Sequence, residues 1–190
     1  TSIINWFQKN PPLGGLGKIK LAEAYLEQAQ TDQVMLLIQD GWITADISKN
    51  DLGYYRAKFK KFLTTEDHLK RADNLAWKRK YWDLKRMLKY LPKDERALYN
   101  ARQILMSNSY GVDNAISKVP NHLKKDPGLE FDRLRWRNRR GRLEGALEIL
   151  YNNANKTESQ MVRPEKWWEE RKSVARTLIY KKGYKTAYKI

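Results

Sequence analysis

Helix-start signals recur along this chain, whereas signals for strands are nearly absent. The clearest start is at Pro164, because proline is tolerated at the first helical position and the acidic Glu165 that follows suits the positive end of the helix dipole. Residues that repeat at helical spacing then predict one face for burial. That face consists of Trp167, Arg171, Val174, Ala175 and Leu178.

Further starts and ends of helices are spread over the whole sequence. Thr64 or Thr65 can cap one amphipathic helix, and the segment 92–95 can start another. Short turns between many such helices are what helical arrays require, so we predict about a dozen helices and an all-α fold. Other predicted starts are Ser48, Pro120 and Asp126-Pro127, and the predicted helix ends are Gly141 and Gly183.

A turn followed by a small helix occurs four times, which indicates an internal repeat. Successive turns start 31, 30 and 42 residues apart. Such spacings fit stacked helix pairs of the tetratricopeptide kind, in which a small residue lets neighbouring helices approach closely. We therefore predict one α-solenoid domain over 1–190, with irregular helices in 1–62 and helix-pair repeats in 63–190. The four turns start at Lys80, Gly111, Gly141 and Gly183.

Positive charge is in large excess, with a formal net charge of +16, and nearly all of the excess follows Asp51. Such a field attracts polyanions, whether nucleic acid, an anionic lipid surface or an acidic cell-wall polymer, and charge alone does not choose among them. The chain has no cysteine, which excludes a disulfide framework, a thiolate metal site and a cysteine nucleophile. No apolar stretch reaches the length of a membrane span.

Patterns for metal binding or phosphate binding are weak. His68 and His122 stand 54 positions apart without a paired ligand motif, so we expect no metal site. The glycines of 14–18 lack the spacing, the hydroxyl residue and the preceding strand of a phosphate loop, and we interpret them as a turn before a helix. We expect no other cofactor.

Arginines alternate with other residues between positions 133 and 142. On a helix, Arg135, Arg139 and Arg142 share one face, and Arg133, Arg137 and Arg140 share another. Some of these cations are expected to pair with Glu130, Asp132 or neighbouring helices, which is the favoured interpretation, and others to meet an anionic ligand. Tryptophans can stack on sugar rings, although tryptophans beside helical apolar positions more often pack between helices. The candidate anion-binding or glycan-binding residues are Arg135, Trp136, Arg139 and Arg142.

Seven segments, in their order along the chain, carry a family resemblance. They are Asn5-Trp6-Phe7 through Pro11-Pro12, Leu63-Thr64-Thr65-Glu66-Asp67-His68, Arg96-Ala97-Leu98, Val119-Pro120, Asp126-Pro127-Gly128-Leu129, the arginine-rich 133–141, and Pro164-Glu165-Lys166-Trp167-Trp168-Glu169-Glu170-Arg171. In this order they resemble the helical, non-catalytic part of bacterial soluble lytic murein transglycosylases. The resemblance covers nearly the whole chain, and it implies a curved helical superhelix, a periplasmic location and peptidoglycan as a partner.

The resemblance also implies where catalysis takes place. In that family a separate lysozyme-like domain cleaves glycan strands between MurNAc and GlcNAc, and its catalytic glutamate stands in a Glu-Ser pair with a Gly-Leu-Met-Gln-like segment shortly after. Glu158-Ser159 offers the pair alone, so we expect no catalytic residue in 1–190. We interpret the chain as a fragment or truncated form that lacks the catalytic domain. Trp167 and Trp168 are then expected to pack between helices.

Three functions follow from these patterns. The favoured one is a scaffold whose partner is peptidoglycan or its own missing catalytic domain. The alternative is a tetratricopeptide-like adaptor that presents a basic concave surface to an acidic protein. Nucleic-acid binding ranks last, since the charge favours it but no helix-turn-helix, zinc or RNA-binding motif is present. The sequence leaves self-association open.

Overall fold

The computed structural model describes residues 2–31, 34–107 and 110–190. Over these ranges it contains twelve α-helices, three short 3₁₀ helices and no strand, which confirms the all-α fold. None of the helices in the described ranges combines the length and the apolar character that crossing a bilayer requires.

The described residues divide into two compact units, 1–99 and 100–190, and the boundary falls within the seventh helix. The extents of helix-pair repeats over 63–190 and of irregular helices over 1–62 stay predictions. The first unit contains α1 (Ser2–Lys9), α2 (Gly15–Glu27), α3 (Val34–Thr44), α4 (Lys49–Lys58), α5 (Thr65–Trp77), α6 (Tyr81–Met87), the 3₁₀ helix Leu88–Tyr90 and the start of α7 (Lys93–Leu105). The second unit contains the end of α7, α8 (Val112–Ser117), the 3₁₀ helix Asn121–Leu123, α9 (Pro127–Arg139), α10 (Leu143–Asn152), the 3₁₀ helix Glu158–Gln160, α11 (Pro164–Tyr180) and α12 (Tyr184–Lys189).

The predicted helix caps form as local chemistry requires. The Ser48 hydroxyl accepts a hydrogen bond from the backbone N–H of Asp51 at 3.2 Å. Thr64, rather than Thr65, caps α5, since its hydroxyl accepts from the N–H of Asp67 while the Asp67 carboxylate accepts from the N–H of Thr64. This reciprocal pair is a capping box, and it satisfies two backbone donors that the helix leaves unpaired.

In the core of the first unit, α3 packs against α2 and α5. Trp42 of α3 is fully buried and meets His68 edge to face at 5.4 Å between ring centroids. Arg71 of α5 is also buried, and its guanidinium donates to the carbonyl oxygens of Trp42 and Ala45. These bonds satisfy carbonyl groups at and beyond the C-terminal end of α3, so they tie α5 to the place where the neighbouring helix stops.

Three connections between consecutive helices share one backbone design. In each, a residue in the left-handed region follows the first helix. The next residue donates its N–H to the carbonyl oxygen five positions back and is also the N-cap of the second helix. The helices joined in this way contact each other in all three pairs, which are α5 with α6, α9 with α10, and α11 with α12. The left-handed residues are Arg79, Gly141 and Lys182, and the residues that donate are Lys80, Arg142 and Gly183.

The left-handed residues of these turns do not all fall at the predicted turn starts. Gly141 ends its helix as expected, with a φ of 65°. Gly183 does not, because Lys182 takes the left-handed position at a φ of 61° and Gly183 stands at the start of α12. Gly111, with a φ of 88°, directly precedes α8, as predicted for a turn before a small helix. The four predicted turns are therefore not equivalent residue by residue, since glycine is favoured but not required in this conformation.

The end of α7 and the start of α9 meet around a buried cation. Arg102 is 0% exposed, and its Nε lies 2.8 Å from a carboxylate oxygen of Asp132. Asp126 caps α9 by accepting from the N–H of Leu129 at 2.8 Å, and it also faces Arg102 at 3.9 Å. Gly128 leaves the space that the guanidinium occupies, because a Cβ there would overlap it. A buried charge requires such paired acids to offset its loss of hydration.

Candidate functional site

A cleft of about 370 Å³ lies in the second unit between α8, α9 and the start of α10. This volume is within the range of roughly 300–1,000 Å³ that small-ligand sites occupy. We call it the basic cleft. Its apolar side consists of Leu105, Val112 and Ile116, its cations are Lys124, Arg133, Arg137 and Arg142, and Trp136, Asp113 and Ser117 complete the lining.

The geometry of α9 brings three of these side chains to the cleft. Arg133, Trp136 and Arg137 are three and four positions apart, so they project from one side of the helix. Trp136 lies among them with 8% of its surface exposed. Its indole Nε1–H is buried and has no acceptor among the residues that the structure describes.

Arg142 reaches the cleft because α9 stops before it. Gly141 adopts a φ of 65°, and the N–H of Arg142 donates to the carbonyl oxygen of Arg137 at 2.9 Å. The guanidinium of Arg142 then lies 4.8 Å from the centre of the Trp136 ring, and that of Arg140 lies 5.5 Å from it. With so little surface exposed and two cations above it, this ring offers no open face for stacking a sugar.

The positive charges of the cleft are only partly matched by acids. Arg137 is neutralised, since it lies 3.0 Å from the Glu148 carboxylate and donates to the carbonyl oxygen of Gly145 at 2.6 Å. Lys124, Arg133 and Arg142 make no ion pair within the described ranges. Among the residues that the structure describes, Asp113 is the single acid in the lining. The described part of the basic cleft therefore presents three cations without an ion-pair partner and one carboxylate.

Of the four sequence-predicted site residues, the structure brings Trp136 and Arg142 together and places the other two elsewhere. Arg135 lies 3.3 Å from Glu170 of α11. Arg139 donates to the carbonyl oxygen of Leu105 at 2.9 Å, and partial burial lowers its pKa, which the neighbouring Arg135 lowers further. The expected common face of Arg135, Arg139 and Arg142 is wrong, because α9 ends at Arg139 and the chain turns at Gly141.

Four charged residues of the lining were not among the predicted site residues. Arg133 and Arg137 belong to the second arginine face that the sequence indicates, and they stand at helical spacing from Trp136. Asp113 of α8 and Lys124, which follows the 3₁₀ helix Asn121–Leu123, reach the cleft through tertiary packing.

Of the two adjacent tryptophans of α11, one is buried and the other is exposed. Trp167 is 3% exposed and meets Phe131 of α9 edge to face at 5.5 Å, as predicted. Trp168 is 56% exposed, and the expectation that it packs between helices is wrong. Consecutive helical residues point about 100° apart, so one interface cannot bury both.

Trp168 lines a second cleft of about 390 Å³. Its charged lining is balanced, with Lys156 and Arg171 against Glu158 and Glu165. Glu158 lies in an exposed 3₁₀ helix, where the capping box between Thr157 and Gln160 holds the turn. This cleft lacks the excess charge that marks the basic cleft.

Comparisons with known proteins add no constraint to this picture. No match for the chain is found among protein-family models, among curated proteins or among solved structures. The function must therefore be inferred from the residues, the helices and the clefts.

Proposed function

We propose that this chain is a non-catalytic helical scaffold of the lytic murein transglycosylase kind, which binds peptidoglycan while a separate lysozyme-like domain cleaves the glycan. The observation that carries the proposal is the series of seven resembling segments in family order. The two most distinctive of them lie on α9 and α11, which contact each other.

The contact between these two helices supports a framework role for the resembling residues. Phe131 packs on Trp167, and the side-chain amide of Asn138 donates to Glu170 at 3.0 Å and to Ser173 at 3.1 Å. Arg135 adds its ion pair to the same Glu170. Because these side chains hold two helices together, the resemblance concerns packing rather than a catalytic centre.

Helix pairing supports the finer fold assignment within this proposal. The helices α5 with α6, α9 with α10, and α11 with α12 share one turn design, and the two helices of each pair contact each other. We infer that such pairs stack in the tetratricopeptide-like, α-solenoid manner, in which each pair buries its apolar face against its neighbours.

The buried carboxylates of the described residues also favour a scaffold. A glycosidic general acid needs a raised pKa so that it carries a proton near neutral pH. Burial by itself raises the pKa of Glu23, but hydrogen bonds from Lys20, Lys58 and Tyr54 reverse this and lower it. Asp67 caps α5, and Asp132 pairs with the buried Arg102. All three of these carboxylates therefore have structural partners.

The proposal places the protein in the periplasm, where peptidoglycan is found. The net charge of +16 then favours contact with acidic groups of the wall, and that contact weakens as salt screens it.

Co-sedimentation with purified peptidoglycan sacculi tests this function. We expect the chain to pellet with sacculi at low salt, to be released as salt rises, and to free no soluble muropeptides, while lysozyme frees them in a parallel sample. Failure to pellet at low salt contradicts the proposed binding. Release of muropeptides by the purified chain contradicts the non-catalytic role.

A further inference from the structure

We propose that the basic cleft binds a short peptide through its carboxylate groups. The ligand that fits carries at least two carboxylates, one amine and small aliphatic side chains. This assignment follows from the lining of the cleft and does not depend on the proposed function.

The charges of the cleft select an anion of a particular kind. Arg133 and Arg142 each carry a planar guanidinium, which matches a carboxylate through two parallel hydrogen bonds, and Lys124 adds a compact point charge. None of the three has an ion-pair partner in the described part of the chain. Asp113 opposes them in the same lining, so a ligand that also carries an amine is matched better than a pure polyanion.

The uncharged part of the lining defines the body of the ligand. Leu105, Val112 and Ile116 form an apolar side that suits methyl groups or short aliphatic chains. Trp136 adds its ring to the lining, so its indole Nε1–H signal can report on a ligand in the cleft.

The same features disfavour the other polyanions that the net charge attracts. Single-stranded nucleic acid is held by stacking its bases on exposed aromatic rings. Trp136 is the one aromatic residue that the described ranges contribute to this lining, and it is buried beneath Arg140 and Arg142. A sugar ring needs the same open face. A volume of about 370 Å³ also suits a short peptide better than a folded partner surface.

In the proposed wall scaffold, the peptide that meets these demands is the carboxylate-rich stem peptide of peptidoglycan. Only this identification of the source rests on the proposed function. Carboxylate recognition by the cleft is tested independently of the proposed function.

The experiment titrates the ¹⁵N-labelled chain with the tripeptide Ala-Glu-Ala, which has two carboxylates and one amine. The readout is the indole Nε1–H signal of Trp136, assigned by its loss in Trp136→Phe. We expect this signal to shift with saturation, and Ala-Gln-Ala-amide, which has the same shape without carboxylates, to leave it in place. Arg142→Gln should weaken binding at least about tenfold, with Lys124→Gln and Arg133→Gln also weakening it.

Matched controls separate the cleft from the general positive field. Lys125→Gln removes the same charge as Lys124→Gln at the next position, and Arg176→Gln does so for Arg142→Gln at an exposed site on α11. Both controls should bind the tripeptide as the unsubstituted chain does. Dispersed amide spectra of every variant establish that each one folds.

Several outcomes overturn the inference. One is equal binding of Ala-Gln-Ala-amide, and another is equal weakening by Arg142→Gln and Arg176→Gln, which would mark a nonspecific charge effect. A larger shift of the Trp136 signal with oligothymidine than with the tripeptide would assign the cleft to nucleic acid. Sacculus binding without tripeptide binding overturns this inference and leaves the proposed function, whereas the reverse result removes the proposed function alone.

Discussion

Burial determines how single charged residues of this protein behave. Arg71 is 1% exposed, donates to the carbonyl oxygen of Ala45 at 3.0 Å and lies 5.0 Å from the ring of Trp42. Burial lowers the pKa of Arg71 to about 10, which still leaves the group charged near neutral pH. Arginine suits such a site because its several N–H groups can satisfy carbonyl oxygens while its plane faces an aromatic ring.

The close approach at Gly128 predicts a stability change. A Cβ at this position would overlap the guanidinium of Arg102, which cannot move without weakening its pair with Asp132. Gly128→Ala is therefore expected to lower the free energy of unfolding by about 2–4 kcal/mol.

Gly53 of α4 provides the matched control. Apart from its chain neighbours and the backbone of its own helix, no atom lies within 4 Å of the position that a Cβ would occupy there. Gly53→Ala should raise the stability by about 0.5–1 kcal/mol through helix propensity. Urea denaturation of both variants measures the difference. A Gly128→Ala variant as stable as the unsubstituted chain would show that Arg102 is not held tightly.

The half-buried His68 predicts a pH dependence of stability. Burial lowers the pKa of His68 from 6.5, and the positive charges of Arg56 and Arg71 lower it further against the opposing effect of Asp67. Between the lowered folded pKa and the unfolded value, the unfolded chain binds more protons. The free energy of unfolding should therefore fall as pH drops below about 6.5, and level off below the folded pKa.

Urea denaturation between pH 7.5 and pH 5 checks this pH dependence, with His68→Gln as the comparison. The difference in stability between the two proteins should shrink toward acid pH, since glutamine does not titrate. A constant difference across this range would mean that His68 titrates alike in the folded and unfolded chain.

Individual helices of this protein are set by chemistry at their ends. Three connections place a left-handed residue after the first helix, and the next residue is the N-cap of the second helix. Glycine takes the left-handed position in one of them, at Gly141, whereas Arg79 and Lys182 occupy it in the others. The turn design is therefore held by backbone hydrogen bonds, and the side chain modulates its stability.

The capping box of α5 predicts how removal of one side-chain hydroxyl changes the stability. Thr64→Ala removes the hydroxyl that accepts from the N–H of Asp67, and should lower the free energy of unfolding by about 1 kcal/mol. Thr65→Ala is the control, because Thr65 is exposed at the first helical position and alanine is a stronger helix former there. An equal loss of stability in the two variants, measured by thermal or urea denaturation, would argue against the cap.

Opposite changes are expected at two equivalent turn positions. Gly141→Ala forces a Cβ into the left-handed region and should cost about 1 kcal/mol, while Lys182→Gly should gain up to about 1 kcal/mol by relieving the same strain. Gly141→Ala should also weaken tripeptide binding, because it disturbs the turn that positions Arg142. Chemical denaturation measures the change in the free energy of unfolding of each variant. Changes of the same sign in both variants would contradict the shared turn design.

At the scale of the whole chain, positive charge exceeds what ion pairing can neutralise. The chain has 38 lysine and arginine residues against 22 aspartate and glutamate residues, so many cations necessarily lack an acid. Such self-repulsion destabilises the compact state and attracts polyanions. In the basic cleft this excess of cations stands beside apolar side chains.

Salt should therefore stabilise this protein. Raising sodium chloride from about 0.05 M to about 0.3 M shortens the Debye length and screens repulsion among the excess cations more than it weakens exposed ion pairs. Thermal unfolding should shift to a higher midpoint. Repeating the melt with potassium fluoride distinguishes screening from specific chloride binding, and a midpoint that falls with both salts would contradict the expectation.

Much of the local structure could be predicted from the sequence, because it depends on residues a few positions apart. The caps at Ser48, Thr64 and Asp126, the helix start at Pro164 and the burial of Trp167 follow from hydrogen bonds and periodicity within one or two turns. These local rules together are sufficient for an all-α fold.

Only the tertiary structure decided which charged and aromatic residues stand together. Arg135 pairs with Glu170 of α11, and Arg139 donates to the carbonyl oxygen of Leu105 at the end of α7. Arg142 lines the cleft instead, because the chain turns at Gly141. Asp113 of α8 and Lys124 after the 3₁₀ helix Asn121–Leu123 join it through tertiary packing, which no short sequence pattern encodes. The physical reason is that helix ends depend on neighbours in sequence, while the partners of a charge depend on how whole helices pack.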